Sequence, residues 1–155
     1  MTIDQLRALM EEAARDLVDR TERPHPTTVV VPLPGSTRVL ALEGFPDEDA
    51  ARKQALSVVA AEHMVPDNAA CFGFLAEATG PGGEDLLLVV YGARQRGSHL
   101  TAALMTDGGL GDFVPAEPLE ATAMPFLQPL QHAADLAPPA EGAGPDVPGL
   151  PIIGQ

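Results

Sequence analysis

Asp85-Leu86-Leu87-Leu88-Val89-Val90-Tyr91 is the most apolar run of this 155-residue chain, and its reading decides the fold. A run this short suits a strand better than a buried helix. Apolar residues in succession, without alternation, mean burial on both faces, so the run belongs near the middle of a sheet. Turn-forming composition brackets it, with Gly80-Pro81-Gly82-Gly83 before and Gln95-Arg96-Gly97 after. The neighbouring segments read as strands too. Ala70 to Ala78 sets Phe72 and Phe74 against Cys71, Leu75 and Glu77 on alternate faces. His99 to Thr106 continues the sheet, with Leu100, Ala102 and Leu104 expected inward, until Gly108-Gly109-Leu110-Gly111 breaks it.

Further upstream the period changes from two to nearly four. Ile3, Leu6, Met10, Ala13, Ala14 and Leu17 mark one stripe of a first helix, with Asp4, Glu11, Glu12, Asp16 and Asp19 opposite. Thr2 and Gln5 have the spacing of a capping box, and Pro24 and Pro26 stop the helix. Thr27 to Leu33 and Thr37 to Glu43 read as two strands around Pro34-Gly35-Ser36. Pro32 has no N–H for a ladder, so the first of them is expected to fray there or lie at an edge. Asp47 is the expected cap of a second helix, whose inner face is Ala51, Ala55, Leu56, Val59 and Ala60. A last helix is read around Phe126, Leu127 and Leu130, with Pro125 in its first turn and Pro129 disturbing it.

The result is a single-domain α+β fold over residues 1–136: a largely antiparallel five-stranded sheet with packed helices, in the order α-β-β-α-β-β-β-α. That order resembles the Roadblock/LC7 and, more broadly, profilin-like α/β sandwich over roughly residues 2–135. The resemblance implies dimers formed by sheet extension and adaptor roles beside small GTPases or motor complexes. No signature motif matches, so it carries over no functional residue.

Residues 137–155 are a Pro/Gly-rich tail by composition. They run through Pro138-Pro139-Ala140-Glu141-Gly142 to the apolar peptide Val147-Pro148-Gly149-Leu150-Pro151-Ile152-Ile153. A spacer followed by a few apolar anchors has the form of a docking peptide, and Leu150, Ile152 and Ile153 are the expected partner-docking residues. Folding back onto the chain's own sheet edge or groove, and no docking at all, stay open beside it.

Composition narrows the function classes. The net charge is −13 with a single lysine, Lys53. That opposes binding to phosphate backbones and to anionic membranes. No signal-peptide pattern or membrane-span-length apolar run is visible. One cysteine, Cys71, and four scattered histidines give no disulfide and no zinc spacing. The chain reads as an acidic cytoplasmic protein with neither cofactor nor metal. Its expected partner is another protein or a second copy, as a homodimer.

No catalytic motif emerges. Cys71, in the apolar flank Ala69-Ala70-Cys71-Phe72, reads as a core thiol rather than a nucleophile served by His63 or His99. Glu77 with His99 and Asp107 matches no trusted spacing, and Ser98 and His99 point to opposite faces of a strand. Arg94, Arg96 and His99 gather near one hairpin and form a candidate anion-binding set, against the plainer reading of a solvated hairpin. The leading expectation is a non-enzymatic interaction domain, an adaptor or accessory protein. The alternative is a small-molecule sensing or binding domain, with a pocket between the sheet and the second helix near Phe72, Phe74 and Tyr91. A third, a hydrolase or transferase, needs His99 and Glu77 to converge.

Overall fold

The structure is a computed structural model that describes residues 1–120 and 122–139. The tail peptide Val147–Ile153, with Leu150, Ile152 and Ile153, lies outside them. Three helices pack on the two faces of one antiparallel sheet. The elements are α1 (Ile3–Arg20), β1 (Thr27–Leu33), β2 (Ser36–Leu42), α2 (Asp49–Val59), β3 (Cys71–Thr79), β4 (Asp85–Ala93), β5 (Gly97–Thr106), β6 (Gly109–Phe113), the two-residue β7 (Glu117–Pro118) and α3 (Gln128–Leu136). The expected α+β order holds, and all five expected strands are present. β6 and β7 are additional: the glycines at 108, 109 and 111, read as a break, instead form a tight turn and the strand that follows it. Gly109 takes φ +112°, which a glycine adopts without a side-chain clash.

The strands run β2-β1-β3-β4-β5-β6 across the sheet, with β7 also pairing with β5. β3 and β4 are central, as the apolar run at 86–91 requires. β1 is interior rather than at an edge. Its pairing with β3 covers only Thr28 to Val30 and ends before Pro32, while β2 pairs along its whole length. The donor that Pro32 lacks therefore falls beyond the β3 ladder.

α1 begins as its sequence dictates. The Thr2 hydroxyl accepts from the Gln5 N–H at 3.1 Å, and the Thr2 N–H donates to Gln5 Oε1 at 2.8 Å. Leu6, Met10 and Ala14 are buried against Val30, Leu75, Leu87, Val89, Tyr91 and Met105. The helix approaches β3 so closely that a Cβ on Gly73 would stand 2.1 Å from Met10 Sδ. α2 starts one residue later than an Asp47 cap implies; Glu48 is its N-cap and, among the described residues, makes no side-chain capping bond. A π-helical turn (Ala60–Met64) and a 3-10 turn (Val65–Asp67) continue it to Asn68, whose φ of 54° ends the run.

The 3-10 turn Pro125–Leu127 leads directly into α3. Pro129 sits in the first turn of α3, where its missing N–H has no helical partner to lose. α2, α3 and these turns close the second core on the other sheet face, around Val29, Val31, Phe72, Phe74, Val90, Leu56, Phe126 and Leu130. Among the described residues, no helix is long and apolar enough to cross a membrane.

Candidate interaction surface

Strand registers sort the side chains of β3, β4 and β5 into cross-strand rows. On the α1 face the rows are Gly73–Tyr91–His99, Leu75–Val89–Thr101 and Glu77–Leu87–Ala103. On the α2/α3 face they are Phe72–Gly92–Ser98, Phe74–Val90–Leu100, Ala76–Leu88–Ala102 and Ala78–Leu86–Leu104. Helix length decides which rows are covered. α1 has 18 residues, about 27 Å, close to the length of the nine-residue β4 at about 30 Å. α3 has nine residues, about 14 Å, and covers about half that length. It lies over Gly92, where a Cβ would meet Gln131 Oε1 at 2.3 Å and the Phe72 ring at 2.6 Å.

Among the described residues, no helix covers the last two rows beyond Ala76, which still packs against the second core. Ala78, Leu86, Leu88 and Ala102 are half-buried and belong to neither core, and Leu104 is 48% exposed. This reverses the expected register of β5: Thr101, Ala103 and Met105 are its buried residues. Leu100 still reaches the second core, whereas Ala102 and Leu104 run out beyond it. The five side chains form an uncharged apolar strip across three adjacent strands. Glu84, Asp85 and Asp107 are exposed in the turns at the same end. Sequence reading missed the strip because Leu86-Leu87-Leu88 shows only that both faces are apolar. The available signal was the shortness of the Pro-interrupted last helix.

The other candidate residues are placed singly. Glu77 accepts from the His25 backbone N–H and, at 3.4 Å, from Arg23, which also donates to Asp85 at 3.2 Å. His99 stacks on Tyr91 with ring centroids 5.4 Å apart. Glu77 and His99 share a face but sit two rows apart on strands that are not neighbours, so they do not converge. The proposed anion set is divided. Arg94 Nε donates to Ala137 O at 2.8 Å beside α3, and His99 faces α1. Arg96 is exposed in the turn. Cys71 is a thiol on the α1 face.

Burial pushes the Tyr91 hydroxyl pKa up and the His99 imidazole pKa down. His99 Nδ1 is buried and has no hydrogen-bond partner among the described residues. Of the residues expected around a small-molecule pocket, Phe72 and Phe74 are fully packed, and Tyr91 lies on the opposite sheet face. Grooves lie elsewhere. One of about 500 Å³ runs between α2 and α3 beside Lys53, Gln131 and Asp135. One of about 360 Å³ runs between α1 and β1–β2 beside Leu17, Val39 and Ala41. Among the described residues, no group of three or more His, Cys, Asp and Glu side chains is arranged to hold a metal ion.

No protein-family model matches the sequence, and no curated protein or solved structure shows significant similarity to it.

Proposed function

We propose that the chain is a non-enzymatic protein-interaction domain, an adaptor or accessory protein that meets its partner through the uncovered strip Ala78–Leu86–Leu88–Ala102–Leu104. The observation that carries this reading is that strip: contiguous apolar surface on the three adjacent strands β3, β4 and β5, which no helix covers among the described residues. Its centre has no charge, and the turns beside it are acidic, the arrangement of an interface core with a polar rim. A net charge of −13 steers towards a partner with an apolar ridge flanked by basic residues. Leu150, Ile152 and Ile153 supply a second apolar element, tethered to the same domain.

The test is affinity capture by the full chain and by its Leu104→Asp variant. Any protein retained by the first and lost from the second is then purified and titrated by calorimetry. The reading predicts a dissociation constant at least tenfold weaker for the variant, equivalent to about 1.4 kcal/mol. Equal affinity for both chains, or no protein that saturates the full chain, retires it. Light scattering in the same series reports self-association, the case in which the partner is a second copy.

A further inference from the structure

We propose that, without a partner, the strip is occupied by the chain's own segment Val147–Ile153, which any partner must displace. This rests on the reading of the strip as an interaction surface. Reach is the first argument. Arg94 holds Ala137 at the β4–β5 turn, and Leu87, level with the strip, lies seven residues back along β4, about 23 Å away. Leu150 is the thirteenth residue after Ala137; a glycine-rich coil of that length has a root-mean-square span of about 20 Å and a polyproline-like chain reaches about 40 Å. The distance of about 23 Å falls between these two values, so the tether spans it, the condition for an effective concentration on the order of millimolar. An intrinsically weak contact is then sufficient to keep the strip occupied.

Chemistry is the second argument. Val147, Leu150, Ile152 and Ile153 bring aliphatic side chains, and no residue from 147 to 153 is charged. They match a strip of alanine and leucine that offers no polar group to pair. Pro148 and Pro151 cannot donate to a ladder, which disfavours adding the segment as a strand at the β2 or β6 edge. An extended, proline-containing peptide instead lays side chains on an apolar face without needing main-chain pairing. The groove between α1 and β1–β2 is on the other side of the sheet from α3, so the tether would have to pass around an edge to reach it.

The sequence supplies its own probes. Its three isoleucines are Ile3, Ile152 and Ile153, two in the segment and one in α1 on the opposite sheet face. The experiment is methyl NMR of the full chain labelled at isoleucine δ1, leucine δ, valine γ and alanine β positions. The proposal predicts NOEs from Ile152 or Ile153 to Leu86, Leu88 or Leu104, with relative intensities unchanged on tenfold dilution. Leu104→Asp should abolish them and leave the Ile3 NOEs in place. If that variant loses the Ile3 NOEs and so fails to fold, Leu104→Gln takes its place with the same expectation.

Absent NOEs, NOEs to Val39 or Ala41, or NOEs that fade on dilution (a second copy's segment) each overturn the proposal. Loss of every Leu104-dependent partner with these NOEs intact would retire the proposed function and leave the intramolecular seat standing.

Discussion

At the scale of single residues, Glu77 and Arg94, which look reactive in the sequence, hold backbone groups of distant segments in place. Glu77 satisfies the backbone N–H of buried His25 and pairs with Arg23, tying the segment after α1 to β3. Glu77→Ala leaves that N–H without its acceptor and should cost about 1–3 kcal/mol in urea denaturation, whereas Glu77→Gln keeps an acceptor and should cost less. Nothing in the spacing of Glu77 announces this role, because the donor is a backbone group 52 residues away.

His99 gives a pH prediction. Burial holds its folded-state pKa below the ordinary value near 6.5. As pH falls below about 6.5, the unfolded chain takes up the proton first, so this group's contribution to stability declines until the folded-state pKa is reached. Above that window it adds no pH dependence. His99→Gln should therefore flatten the acid side of a stability-against-pH curve measured by thermal unfolding. An unchanged acid slope would contradict the assignment.

At the scale of elements, what was legible is what local chemistry specifies. The Thr2–Gln5 capping box, the α1 stripe and the turns around 80–83 and 95–97 all depend on residues close in sequence, and the structure places them as read. Thr2→Ala should cost about 0.5–2 kcal/mol of stability. The face of β5 that is buried was not legible, because it depends on which helix lies opposite and how far that helix reaches. Gly92 is likewise silent in sequence, yet it is the point where α3 rests on β4. Gly92→Ala drives a Cβ into the packed Phe72 ring and Gln131 and should destabilise by about 1–3 kcal/mol. The same change should disturb the Ser98–Gln131–Asp135 hydrogen-bond chain, whose links measure 2.9 Å and 2.8 Å. Denaturant titration checks the first effect and side-chain amide NMR shifts of Gln131 the second.

At the scale of the whole molecule, the asymmetry between the two sheet faces organises the account. An 18-residue helix runs the length of β4 on one face, while on the other, among the described residues, short α3 leaves Ala78, Leu86, Leu88, Ala102 and Leu104 beyond its reach. Burying apolar surface contributes roughly 25 cal/mol per Å², so a strip of alanine and leucine left to water is a standing drive towards contact. Leu104→Asp places a charge on a half-exposed position and should leave global stability within about 0.5 kcal/mol, as surface substitutions generally do. Its effect should appear in what the strip binds. Ile152→Asp combined with Ile153→Asp should tighten partner binding by removing the intramolecular competitor, measured by calorimetry against the same partner.

The most direct measurement is photo-crosslinking from the strip itself, with Leu104→p-benzoylphenylalanine in the full chain and the adducts mapped by mass spectrometry. The account predicts adducts within residues 147–153 of the same, monomer-sized chain, at a yield independent of protein concentration. Adducts confined to other segments, adducts only between chains, or none at all would contradict it.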